Sequence, residues 1–222
     1  MKILSISTSS NIATVAISED DKCILELNIN NNKTHSETLM PLVSELFEKL
    51  NIKLDDIDLI ACDVGPGSFT GIRIGISSVK AIAESLNIPV VSVTSLEALA
   101  YNVESKNCKT ICSLIDARNN QVYAGIFDNK YTLLEEYIAD DISIVINALN
   151  KYEDIQFVGD GAVFHKELLN IKNFEYENVI YSKNIAKCAY RKYKEGKICT
   201  ADSILPLYLR KSQAERMKKN NG

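Results

Sequence analysis

The stretch Gly65-Pro66-Gly67-Ser68-Phe69-Thr70-Gly71-Ile72-Arg73-Ile74-Gly75 follows the apolar run Leu59-Ile60-Ala61-Cys62-Asp63-Val64 and opens a helical pattern that reaches Asn87. A short apolar run marks a buried strand. With a second strand pattern from Val90 to Val93 the segment reads as a βαβ unit whose helix runs from about Thr70 to Asn87. Glycines between a strand and a helix start let a ligand reach the free amides of the first turn, where the helix dipole favours phosphate or carboxylate. Gly65, Gly67, Ser68 and Thr70 are therefore candidate anion contacts. A tight strand-to-helix turn accounts for the same residues, because no Lys-Ser/Thr follows as in a P-loop and the glycines are not spaced G-x-G-x-x-G.

On a helical wheel Arg73, Lys80 and Glu84 fall within about 40° of one another, leaving an uncharged arc of about 220°. A surface helix needs an apolar stripe of only about 100°. The surplus belongs either to the protein's own sheet and helices or to a second protein, and Gly71 and Gly75 permit close backbone approach on one side.

Upstream, Lys2 to Thr8, Ala13 to Ser18 and Lys22 to Asn30 read as an antiparallel meander. Thr34-His35-Ser36-Glu37 matches a capping box, and Leu39, Leu42, Val43, Leu46, Phe47 and Leu50 follow at helical spacing, with Pro41 a candidate kink and Met40 and Phe47 at the edge of the apolar face. Thr94-Ser95-Leu96-Glu97 opens a second capped helix that ends near Tyr101. The opening then recurs: Ile6 to Ile17 can be laid on Ile115 to Ile126 at a constant offset of 109, and Ile155 to Val158 reads as a further buried strand. The fold class is α/β, with two lobes, residues 1–104 and 105–222, each a mixed sheet with helices.

A chain of 222 residues, 46% hydrophobic and 24% charged, supports a sizeable core and excludes disorder and fibrous repeats. Its net charge of −4 gives no global field that implies nucleic acid or membrane. No run nears the roughly 18 apolar residues of a membrane span, and we expect a cytoplasmic protein with no membrane contact. The charge is uneven, however: ten Lys or Arg and three acids lie between Lys187 and Lys219, a net +7 against −11 elsewhere. That excess suits phosphates or an acidic partner, or else a solvated helix face at Lys187 to Lys194 and a frayed basic terminus after Arg210. Six cysteines without a C-x-x-C pair and only two histidines, His35 and His165, give no metal or cofactor motif. Asp63 and Asp116, each at a strand end, are candidate functional acids or caps of loop amides, the second being the reading we favour.

Together with His35-Ser-Glu-Thr-Leu-Met-Pro41, Ile115-Asp-Ala-Arg-Asn-Asn-Gln-Val-Tyr-Ala-Gly125 and Pro206-Leu-Tyr-Leu-Arg210, the run Gly65 to Gly75 resembles the bacterial TsaB (YeaZ) family over nearly the whole chain. The resemblance implies a duplicated ASKHA fold, of the actin-like and RNase H-like type, and a non-catalytic scaffold subunit that is homodimeric alone and heterodimeric with TsaD. In that system TsaD, with the ATPase TsaE, transfers threonylcarbamoyl to the adenosine beside the anticodon of tRNAs. The implied partners are a TsaD-like catalytic subunit, a TsaE-like ATPase through the complex, a second copy of the chain, and tRNA, indirectly or through the basic C-terminal region.

TsaD-type enzymes are expected to hold a metal with two histidines spaced one helical turn apart after the strand equivalent to Val90 to Val93, where this chain has Ser95 and Leu99. The family's first strand usually ends in Ile-Asp-Thr and here reads Ile6-Ser7-Thr8, so the strand-end acid is replaced too. Both departures speak against chemistry by this chain alone; a stand-alone ASKHA-type phosphotransferase or metallopeptidase is the rival reading. The partner surface expected on the two helices comprises His35, Leu39, Met40, Phe47, Gly71, Ile74, Gly75, Ser78 and Ile82, with Gly75→Arg or Ser78→Arg expected to abolish association in a folded protein.

Overall fold

The computed structural model describes residues 1–31, 33–104, 108–171 and 176–210. In chain order the elements are β1 (Lys2–Ser7), β2 (Ala13–Glu19), β3 (Lys22–Ile29), α1 (His35–Leu50), β4 (Leu59–Asp63), α2 (Phe69–Leu86), β5 (Val90–Val93), α3 (Ser95–Ala100), β6 (Thr110–Asp116), β7 (Gln121–Asp128), β8 (Ile138–Asp141), α4 (Ile142–Leu149), β9 (Ile155–Val158), α5 (Asp160–Phe164) and α6 (Ser182–Lys194). They build two mixed sheets, ordered β3-β2-β1-β4-β5 and β8-β7-β6-β9. In each, an antiparallel meander is followed by a helix and a strand that returns parallel to the first: α1 leads to β4 beside β1, and α4 leads to β9 beside β6. Two lobes of one α/β plan result.

Side-chain alternation along the strands sets the layers. Leu4, Ile6, Ile60 and Cys62 pack with α1 and α2, whereas Ile3, Leu59 and Ala61 face a core shared with α3, α6 and the second sheet. Cys112 and Leu114 of β6 pack with α4 and α5, and Ile111 and Ile115 face the shared core.

Local chemistry sets the helix limits. The Glu37 carboxylate accepts the Thr34 N–H at 3.0 Å at the start of α1, and Asn51 closes that helix in the left-handed region with φ 51°. Pro41 lies inside α1, which runs unbroken from His35 to Leu50. Ser68 caps α2 by accepting the Gly71 N–H at 3.2 Å, one residue earlier than the periodicity suggests, and Asn87 closes it at φ 53°.

The repeat requires one correction. Ile17 and Ile126 both face outer layers, as an offset of 109 demands, but Ile6 faces the outer layer and Ile115 the shared core. Ser7 pairs with Thr14 and Ile115 with Tyr123, so the first strands correspond at an offset of 108 and Ser7 matches Ile115, not Asp116. The second hairpin has one more residue in its turn, and a slip of one residue exchanges the two faces of a strand.

The boundary expected after residue 104 adjoins residues 105–107, outside the described residues. Parts of the second half return to the first sheet. Val90 and Cys199 exchange backbone hydrogen bonds of 2.9 and 2.8 Å, and the Leu207 N–H reaches the Val64 carbonyl at 2.8 Å. The basic run of α6 is not wholly a solvated face either: Lys192 lies 2.7 Å from Glu97 with both side chains largely buried, and Arg191 donates to the carbonyls of Lys130 and Tyr131. The basic residues after Arg210 lie outside the described residues. Among the described residues no helix is long and apolar enough to cross a membrane.

Candidate functional site

Strand order brings the ends of β1 and β4 together, and α3 starts beside them. At that point Asp63, 3% exposed, gathers four donors. Its Oδ2 accepts the hydroxyls of Ser7 at 2.7 Å and Ser9 at 2.5 Å, and its Oδ1 accepts the Ser95 hydroxyl at 2.7 Å and the Gly65 N–H at 2.9 Å. Burial pushes the Asp63 carboxyl up from its ordinary value, and the hydrogen bonds from Ser9, Ser7, Gly65 and Ser95 oppose that rise. Asp63 is thus a cap of the Gly loop, and Asp116 likewise accepts the Arg118 N–H at 2.9 Å. Ser7 and Ser95, which replace the expected acid and one expected histidine, both spend their hydroxyls on this one carboxylate.

The loop around it is packed at Gly65 and Pro66 and exposed at Ser68 and Thr70. The Gly65 N–H donates to Asp63 and the Ser68 N–H to the Ser9 carbonyl at 2.7 Å, while the Ser68 hydroxyl accepts the Gly71 N–H. Two of the donors expected to meet an anion, the Gly65 and Ser68 amides, therefore have internal partners. Gly67 lies against the Ser9 carbonyl, and Thr70 faces a neighbouring groove. The two histidines occupy different lobes: His35 Nε2 is 2.8 Å from the Ser10 carbonyl oxygen, and His165 is buried after α5. Among the described residues no three His, Cys, Asp or Glu side chains come together as a metal site.

The groove lies between α1 and α2, is open, and holds about 450 Å³. His35, Leu39, Met40, Ile74 and Ser78 line it, joined by Thr70, Arg73 and Ser77. Met40 is 47% exposed there, whereas Leu39 and Ile82 are buried in the first lobe's core and Phe47 packs against that core outside the groove. Gly71 and Gly75 are spent within the chain. A Cβ at Gly71 would lie 1.9 Å from the Thr8 carbonyl oxygen, and one at Gly75 would lie 2.5 Å from the Thr8 hydroxyl, which itself donates to the Gly71 carbonyl at 2.7 Å. The surplus arc of α2 is therefore shared between the sheet, the β1–β2 turn and a remaining outward strip of Ile74, Ser77, Ser78 and Ala81.

Residue-level reading missed a strap across the start of α2. Tyr208 stacks on Phe69 with ring centroids 4.7 Å apart, and Arg73 Nε donates to its hydroxyl at 2.8 Å. Arg210 donates to Gln121 of the second lobe. The run Pro206 to Arg210 carries part of the family resemblance, but no local periodicity in it discloses what it touches.

A family model described as TsaD, tRNA N6-adenosine threonylcarbamoyltransferase, matches residues 28–217. The tRNA threonylcarbamoyladenosine biosynthesis protein TsaB of Bacillus subtilis is 32% identical over 97% of this chain and 96% of that protein. Its namesake from Haemophilus influenzae is 26% identical over 95% of this chain and 94% of that protein. In fold, YeaZ from Pseudomonas aeruginosa superposes with a TM-score of 0.81 at 24% identity, covering 94% of this chain and 99% of that one. Whole-length sequence similarity and a shared two-lobed fold lead to one assignment: the chain belongs to the TsaB (YeaZ) family, within the wider family that the TsaD model describes.

Proposed function

We propose that this chain acts in tRNA threonylcarbamoyladenosine biosynthesis as a non-catalytic partner of a TsaD-like subunit. The observation that supports the non-catalytic part of this reading is the closed cluster at Asp63: at the positions where the resemblance implies an acid and a metal-binding histidine, Ser7 and Ser95 are held by hydrogen bonds to one buried carboxylate. A hydroxyl so engaged neither supplies charge to a metal-bound water nor serves as a free metal ligand. The partner surface is the α1–α2 groove, with Met40, Ile74 and Ser78 at its exposed part. A second copy of the chain and the TsaD-like subunit compete for it, since a partner of the same fold offers equivalent helices. A TsaE-like ATPase joins through that complex.

The test is threonylcarbamoyl transfer to tRNA by the TsaD-like protein of the same cell, with and without this chain, beside the chain alone. The expected result is transfer that requires both proteins, with no ATP hydrolysis, peptide cleavage or tRNA modification by the chain alone. Metal-dependent turnover by the isolated chain, abolished by a point substitution within it, would overturn the proposal and favour the phosphotransferase or peptidase alternative.

A further inference from the structure

The outward side of α6 carries a row of lysines interleaved with rings. Lys183, Lys187, Tyr190 and Lys194 fall within about 60° around the helix and over roughly 16 Å of its length. The opposite side buries Ile185, Ala186, Cys188 and Ala189. Lys183 Nζ lies 4.2 Å from the Tyr181 ring centroid, Lys187 Nζ 5.9 Å from that of Tyr101, and Lys194 Nζ 5.3 Å from that of Tyr190.

The carboxylates nearby are engaged. Glu26 accepts the backbone Lys183 N–H at 2.9 Å and its Oε2 lies 3.8 Å from the Lys183 ammonium, Glu177 accepts the Tyr181 hydroxyl, and Glu195 pairs with Lys197 at 2.7 Å. Among the described residues no carboxylate lies within 4.0 Å of the Lys187 or Lys194 ammonium. Phosphates suit the ammonium groups and planar bases suit the tyrosine faces. The Tyr101 ring already stacks on Tyr131 with centroids 4.1 Å apart, so an acidic protein surface would satisfy the charges and leave the half-buried Tyr190 ring without a planar partner. The row also lies on the other side of the first sheet from α1 and α2, so the groove and the row can be occupied together.

We infer that this face of α6 is the chain's own RNA-contact surface, engaging phosphates through Lys187 and Lys194 and a base through Tyr190. The inference rests on the proposed function only for the identity of the RNA as tRNA. The measurement is binding of unmodified tRNA to the chain co-purified with its TsaD-like partner, across a salt series. The variants are Lys187→Glu with Lys194→Glu, Tyr190→Leu, and Lys49→Glu with Lys53→Glu as a charge-matched control beyond the opposite face of the sheet.

The α6 double reversal is expected to weaken binding at least tenfold and to flatten log Kd against log salt concentration by about 2. Tyr190→Leu is expected to weaken it about fivefold with an unchanged salt slope. The control should stay within about twofold of wild type. Equal loss in the control reduces the effect to net charge and overturns the inference, as does unchanged affinity in folded, partner-bound variants. Displacement of tRNA by polyglutamate at equal charge concentration assigns the row to an acidic protein and also overturns it. Loss of transfer activity by the wild-type complex would strike the proposed function instead and leave the binding comparison readable.

Discussion

Asp63 is the residue on which the candidate site turns, and its protonation has a definite sign. Its folded carboxyl holds a proton more tightly than the ordinary value of 3.8, because burial penalises the charge more than its donors relieve it. The folded state therefore binds the extra proton, and this group's contribution to stability is full below 3.8 and is lost as pH rises through the raised folded value. Wild type should accordingly gain stability relative to Asp63→Asn between neutrality and about pH 4; urea midpoints of both proteins across that range check it, and an advantage that shrinks on acidification would contradict the stated burial. Asp63→Ala leaves three hydroxyls and the Gly65 N–H without their acceptor, a loss of about 3 kcal/mol in urea unfolding at pH 7. The cap is one of two readings that the sequence allows for an acid at a strand end beside a Gly loop, a functional acid being the other. Its partners Ser7, Ser9 and Ser95 are not legible there, because they lie 56, 54 and 32 positions away and only strand adjacency gathers them.

At the level of elements, periodicity located α2 to within one residue at its start, but the wheel could not say which neighbour takes which part of the uncharged arc. The glycine seam that invites a partner helix is filled by Thr8 of the same chain. Gly75→Arg therefore makes a different experiment from the one the bare sequence suggests: the new Cβ meets the Thr8 hydroxyl at 2.5 Å, and overpacking of this kind costs about 1 to 3 kcal/mol before any partner is considered. We expect that variant to show a lowered melting temperature. Ser78→Arg is the cleaner probe, because Ser78 is half-buried at the groove and has room outward. It should keep the wild-type melting temperature within a few degrees while self-association and capture of the TsaD-like subunit each fall at least tenfold, the consequence of a charge placed unpaired in an apolar contact. Sedimentation and pull-down that match wild type in the folded protein would move the interface off this groove.

Across the whole molecule, the repeat reads as two lobes in sequence, yet the structure ties them through a core to which both halves contribute. Ile3, Leu59, Val91, Val93, Leu96 and Leu99 from the first half share one cluster with Ile185, Ala186, Cys188 and Ala189 of α6. The Lys192–Glu97 pair fastens the same layer, and the Val90–Cys199 bridge ties the segment after α6 to the edge of the first sheet. Sequence could not disclose this return of the chain, because α6 carries an ordinary amphipathic pattern whose apolar side fits any sheet. A fragment of residues 1–104 would expose those six side chains on one side of its sheet and on α3, and at roughly 2 kcal/mol for each the loss is about 12 kcal/mol, as large as the whole stability of a typical domain. The fragment 1–104 should therefore lack a cooperative urea transition, while a chain of residues 1–210, which retains α6 and the strap at Tyr208, should unfold in a single one. A sharp transition in the shorter fragment, with a midpoint near that of the longer one, would mean that the first sheet is stable without α6 and that the lobes are independent folding units after all.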